Sequence, residues 1–199
     1  LKQEDPFGDL ADPPEQKDCL GQITDSTPAA SIVPGKCYRG VDVDKAMTFP
    51  AGTYYITGTF HLNSKANITA EGVTFVFTQE TYSNGTKSAY PAISINGSAT
   101  INLTAPESGP YEGIVMYYDG RAPASGHTIN GNSFSAFEGA FYFPTQNLTF
   151  NGNAEMETSC IQLVAFHLTF EGHTEINNEC DADGDGAQAF DAEWVRLVK

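Results

Sequence analysis

Positive charge is scarce in this chain: Lys and Arg total 10 against 25 Asp and Glu, a net charge of −15 over 199 residues. Nucleic acid and anionic lipid surfaces are bound through clustered Lys and Arg, so the balance argues against both as partners. Long apolar runs are missing as well, and no stretch approaches the length needed to cross a bilayer as a helix. No G-x-S-x-G elbow, phosphate-binding loop or dinucleotide fingerprint occurs. There is no CxxC pair either, which removes the usual zinc spacing. The chain opens Leu1-Lys2-Gln3-Glu4-Asp5, with neither initiator Met nor signal-peptide pattern, and reads as a mature form or an excised fragment.

What is present points to β structure. Hydrophobic residues make up 40%, and Gly (19), Pro (11), Phe (13) and Tyr (9) are all frequent, as suits short strands joined by many turns. Residues 1–30 differ from the rest. They carry Glu4, Asp5, Asp9, Asp12, Glu15 and Asp18 with Pro6, Pro13 and Pro14, and read as an acidic, Pro-rich arm or linker. Residues 31–199 form the second unit. Short alternating segments recur there, broken by a polar residue and then Gly, as at Glu71-Gly72, Asn96-Gly97, Glu112-Gly113, Asn130-Gly131, Glu138-Gly139, Asn151-Gly152 and Glu171-Gly172.

In Val73-Thr74-Phe75-Val76-Phe77-Thr78 the period-2 alternation sends Val73, Phe75 and Phe77 to one face and Thr74, Val76 and Thr78 to the other. The phrases return about every 14 to 25 residues without matched hairpin partners, the signature of stacked rungs. The expected fold is therefore all-β: a single-stranded parallel β-helix (a solenoid), with a β-sandwich as the alternative. Thr, Asn and Tyr are expected to face outwards, with Tyr54, Tyr117 and Tyr118 as candidates for an exposed contact face. His61 and His127 are isolated, and read as polar surface or corner residues.

The four cysteines fall into two local pairs. Of three possible connectivities, Cys19–Cys37 with Cys160–Cys180 closes the smaller loops and would tie down the two ends of the stack. An even count without metal spacing suits an oxidising compartment. The final Trp194-Val195-Arg196-Leu197-Val198-Lys199 has strand character suited to closing the C-terminal end.

The stretch Val33-Pro34-Gly35-Lys36-Cys37-Tyr38-Arg39-Gly40, followed by Phe49-Pro50-Ala51-Gly52-Thr53-Tyr54-Tyr55-Ile56, resembles the pattern that opens the C-terminal domain of TadG-like proteins of bacterial tight-adherence (Flp-type) pilus assembly. Glu71-Gly72-Val73-Thr74-Phe75, Ile95-Asn96-Gly97-Ser98-Ala99-Thr100-Ile101-Asn102-Leu103-Thr104-Ala105-Pro106, Ser108-Gly109-Pro110-Tyr111-Glu112-Gly113-Ile114, Glu138-Gly139-Ala140-Phe141-Tyr142-Phe143-Pro144, Cys160-Ile161-Gln162-Leu163-Val164-Ala165 and Val195-Arg196-Leu197-Val198 continue it in the same order. The resemblance spans residues 19–199. It implies a periplasmic or cell-surface module without attributed catalytic residues, following a membrane anchor, with protein or surface glycan as partner. The Cys37-Tyr38-Arg39-Gly40 texture and the acidic stretch after Cys180 depart from the pattern.

Several residues suggest chemistry, each beside a plainer reading. Asp181, Asp183 and Asp185 begin like a calcium loop, but the twelfth position holds Ala192 between Asp191 and Glu193 instead of the bidentate Glu. A solvated acidic turn is the preferred reading, with no cofactor expected and calcium as the exception. Glu71, Glu112, Glu138 and Glu171 would form an acidic ridge if their corners coincide, and paired carboxylates serve glycoside cleavage; ordinary corner residues are the simpler reading. His167, Glu171 and His173 would make a surface metal site only if Gly172 lets them converge. Five N-x-S/T sequons stand at Asn67, Asn84, Asn96, Asn102 and Asn147, glycosylation candidates in a secreted eukaryotic chain and unmodified in a bacterial one. The sequence thus leads to a non-enzymatic extracytoplasmic interaction module, with a polysaccharide-acting β-helix enzyme or a calcium-stabilised surface protein as alternatives.

Overall fold

The computed structural model describes residues 5–131, 135–152, 156–172 and 176–178. Among them there is no α-helix, only one short 3₁₀ turn at Ala29–Ser31. The chain winds as a three-sided parallel solenoid. Face 1 contains β1 (Ile23–Thr24), β3 (Val41–Val43), β6 (Phe60–Leu62), β9 (Ile93–Ile95) and β12 (Gly126–Gly131). Face 2 contains β4 (Ala46–Thr48), β7 (Asn67–Ala70) and β10 (Thr100–Thr104). Face 3 contains β2 (Cys37–Tyr38), β5 (Gly52–Ile56), β8 (Val73–Phe77) and β11 (Ile114–Tyr118). The long β13 (Ala136–Gly152) and β14 (Met156–Gly172) bend round all three sides, and β15 (Ile176–Asn178) lies on the start of β14.

Every pairing between these strands is parallel. This is the β-helix, not the sandwich. The register explains why the turn phrases recur unevenly. The step from one rung to the next is short where Cys37 meets Tyr55, and much longer where Phe75 meets Met116. The extra length comes from excursions between β8 and β9 and between β10 and β11.

Inside, equal positions pile into columns. On face 1, Val43, Leu62, Ile95, Ile129, Phe150 and Phe170 follow one another in register. On face 3, Tyr54, Phe75, Met116, Phe141 and Leu163 do the same. No rung buries its apolar side alone; each is covered by the next. The column end on face 1 shows the consequence: Phe150 is 1% exposed and Phe170, in the last described strand of that face, 51%. Where the chain turns the corner into face 3, Gly139 holds φ near 126°, and a Cβ there would meet that of Ala105 at 2.6 Å. Only glycine fits both constraints.

β8 is buried on both sides. Val73, Phe75 and Phe77 belong to the interior cluster, whereas Val76 belongs to a second cluster on the outer wall with Tyr111, Ile114, Tyr117, Ala140 and Tyr142. What covers that wall is the acidic N-terminal stretch, and the site follows from it.

Candidate functional site

The outer side of face 3 carries an apolar stripe, Tyr55, Val76, Tyr117, Tyr142 and Val164 in successive rungs. Residues 5–20 lie along it as a strap. At one end Phe7 packs on Tyr142 with ring centroids 5.1 Å apart, and the Tyr142 hydroxyl donates to Asp5 Oδ2 at 2.9 Å. At the other end Leu20 pairs with Tyr38, and Cys19 is disulfide-bonded to Cys37. In between, Gln16 pairs with Glu80 and accepts from the Thr81 amide at 2.8 Å, while Arg121 Nη2 donates to the Pro13 carbonyl at 3.0 Å.

Two carboxylates fix the strap's neighbours, each gripped by one arginine. Glu80 receives Arg39 Nε at 2.8 Å, Arg39 Nη2 at 2.7 Å and the Cys19 amide at 3.1 Å. Asp119 receives Arg121 Nε at 2.8 Å, Arg121 Nη2 at 2.7 Å, the Arg121 amide at 3.0 Å and Thr78 Oγ1 at 2.6 Å. Such forks are charge-assisted and geometrically specific. The Arg39 fork holds the Glu80 carboxyl below its ordinary range. At Asp119 burial pushes upwards, but the bonds from Arg121 and Thr78 outweigh it and the carboxyl is also lowered.

Between the strap, the excursion after β8 and the turn after β11 lies a cavity of about 470 Å³, lined by Glu15, Thr78, Gln79, Thr81, Lys87, Tyr90, Asp119 and Arg121. The excursion forms a small hairpin in which Thr81 pairs antiparallel with Lys87. Glu15 is lowered by its bonds to Lys17 and Thr81, and burial raises the Tyr90 phenol. The cavity therefore sits among groups whose charges are mostly neutralised in pairs.

The positions singled out in the sequence scatter elsewhere. The Cys19–Cys37 bond is present. Cys160 is also disulfide-bonded, whereas Cys180, Asp181, Asp183, Asp185, His173 and Trp194–Lys199 lie outside the described residues. Tyr54, Tyr117 and Tyr118 do not form an exposed contact face: they are 0%, 3% and 1% exposed. Tyr54 and Tyr118 point inwards, their hydroxyls donating to the Pro50 and Pro91 carbonyls. Tyr117 points outwards but lies in the outer-wall cluster with Phe7, Leu10 and Tyr142, and burial pushes its phenol up to about 12.

His127 is not a surface residue either. At 5% exposure it faces the interior beside Tyr118, 4.6 Å between ring centroids, with Ser125 Oγ at 3.2 Å from Nε2. Burial lowers its pKa from the ordinary 6.5. His61 stays on the outer wall, 3.5 Å from Asp42. Glu138 aligns with Thr104 and Cys160 at the end of face 2, and Glu71 follows β7 on that face. Glu112 sits in the excursion before β11 and Glu171 on face 1, so the four do not form one ridge. His167 is bonded to Asn147 at 3.2 Å. Among the described residues no group of three or more His, Cys, Asp or Glu is placed to hold a metal ion, and no helix is long and apolar enough to cross a membrane. All five sequon asparagines are exposed.

The cleft itself escaped the sequence reading. Its signal was there in two forms: the interruption of the rung phrases between Thr78 and Pro91, and the scarcity of arginine. Only Arg39, Arg121 and Arg196 occur, and the first two each neutralise a buried acid.

These shifts dictate a two-stage acid response. Glu80 and Asp119 have folded pKa values below their unfolded ones, so their contribution is complete above about pH 5 and is lost as pH falls through the carboxylate range. His127, also lowered, contributes fully above about pH 6.5 and loses stability as pH falls below it. Urea midpoints measured from pH 8 to pH 3 should decline in two limbs. His127→Leu should abolish the upper limb and keep the lower; an unchanged upper limb assigns it to another group.

No family model, no curated protein and no solved structure matches the chain.

Proposed function

We propose that this chain is a non-enzymatic module displayed outside the cytoplasm, part of an adhesion or pilus-assembly protein of the tight-adherence type, whose solenoid wall is presented to protein or glycan partners. The observation that carries the reading is the state of the two most deeply buried carboxylates among the described residues, Glu80 and Asp119. Each is locked as an anion by an arginine fork, whereas glycoside cleavage requires a carboxyl kept protonated by a raised pKa. Rigidity is what the architecture supplies: interlocked columns, a strap across the outer wall, and a disulfide that pins the strap. The disulfide also suits an oxidising compartment, and the ordered phrases from Val33 to Val198 support the pilus-assembly context.

The test is binding measured together with turnover. The purified chain, incubated with a panel of bacterial surface polysaccharides and with pilin subunits, is expected to retain at least one of them while releasing no new reducing ends or unsaturated sugars. Turnover of any polysaccharide in the panel, abolished by substituting an acidic residue of the chain, overturns the reading in favour of an enzyme.

A further inference from the structure

The cleft between strap, hairpin and the turn after β11 has a composition that selects a ligand. Most of its polar atoms are committed: Asp119 to Arg121 and Thr78, Glu15 to Lys17 and Thr81, the Gln79 amide nitrogen to the Ser88 carbonyl at 2.6 Å. What remains is uneven. Lys87 Nζ, the Tyr90 hydroxyl and Arg121 Nη1 have no hydrogen-bond partner among the described residues, and the Gln79 side-chain carbonyl is the open acceptor beside them. Lys87 and Arg121 are the cations of this lining; Arg121 also stands 3.9 Å from Asp12, and Glu15 shares the cavity wall with Lys87. Tyr90 lends an aromatic wall, held in place by Tyr118 at 6.3 Å.

We propose that this cleft is a subsite for one acidic sugar residue, a hexuronate-type ring with its carboxylate between Lys87 and Arg121 and its hydroxyls towards Gln79 and Tyr90. The proposal rests on the reading of the chain as a surface module with glycan partners. A cavity of about 470 Å³ is at the small end of ligand sites and takes one or two sugar rings. A peptide fits less well. Strand addition needs an open backbone edge, and on the strap side the hairpin's edge is taken by Gln16 against Glu80 and Thr81. A bare anion would leave the Gln79 carbonyl and the aromatic wall unused.

The experiment is a chemical-shift titration of the whole chain with sodium glucuronate, and in parallel with glucose, acetate and trialanine. Glucuronate should bind in the millimolar range, as expected of about 13 heavy atoms at ordinary ligand efficiency. Its shifts should centre on Gln79, Lys87, Tyr90 and Arg121, and the other three probes should bind at least about tenfold more weakly. Lys87→Gln, on an exposed hairpin, should weaken glucuronate about tenfold, and Tyr90→Phe severalfold, with the rest of each spectrum unchanged. Absence of shifts in the cleft overturns the proposal, as does insensitivity to Lys87→Gln. Acetate binding equally well identifies a simple anion site, glucose a neutral-sugar site and trialanine a peptide site, each against the proposal. None of these failures touches the module reading, which stands or falls on partner retention and turnover.

Discussion

Phe75→Ala is expected to destabilise the chain by about 4 kcal/mol. Phe75 is fully buried at the middle of the face 3 column, between Tyr54 and Met116. Its ring lies 5.0 Å from that of Phe49, 5.2 Å from Phe60 and 5.9 Å from Tyr54, so it joins side chains of all three walls. Parallel backbones on either side are tied by their ladders, which limits collapse into the vacated space, and poor collapse puts the cost in the upper part of the usual range. Chemical denaturation of the variant beside Phe75→Leu checks this. The leucine variant should recover more than half of the loss. Equal losses for both would mean that ring geometry, and not volume, sets the cost.

Removing the first disulfide is the second large effect. Cys19 and Cys37 are 18 positions apart, and opening a loop of that size is worth about 3 kcal/mol in the chain-entropy account. The loss has a local component here. Cys19 is where the strap joins the first rungs, and its amide also donates to the buried carboxylate of Glu80. In Cys19→Ser/Cys37→Ser the strap keeps its contacts with Tyr142, Arg121 and the hairpin but loses its anchor. Hydrogen exchange should therefore accelerate at residues 5–18 well before the columns open, and Tyr117 and Tyr142 should become reactive to tyrosine-specific reagents. Uniform acceleration across strap and core would show that the bond stabilises the whole fold and not the strap.

Much of the architecture was legible in the sequence, and the reason is local. Alternation in Val73–Thr78 puts Phe75 and Val76 on opposite sides whatever surrounds them, and the structure keeps that assignment in two separate clusters. Repetition of such segments without hairpin partners identified stacked rungs, because a single rung leaves its apolar side bare. The local cysteine pairing followed from loop size, and Cys19–Cys37 is bonded accordingly.

The candidate site was not legible, because period-2 alternation has no sign. It separates Tyr54 from Tyr55 without saying which looks into the solenoid, and it says nothing of what lies over the outer side. Sequence alone puts Tyr117 in solvent; it does face outwards, but Phe7 and Leu10 lie over that wall. His127 reads as a corner residue until its register with Leu148 places it in a column.

By itself, then, the sequence determined the all-β character, the rung texture, the alternation of each strand and the local pairing of the first two cysteines, since all of these depend on neighbours a few positions apart. The tertiary structure alone decided which side of each strand is inside, that an acidic and proline-rich stretch becomes a strap, and that Gln79, Lys87, Tyr90 and Arg121 meet in one cleft. Those outcomes depend on segments far apart in the chain, and contact at that range is fixed only when the columns stack.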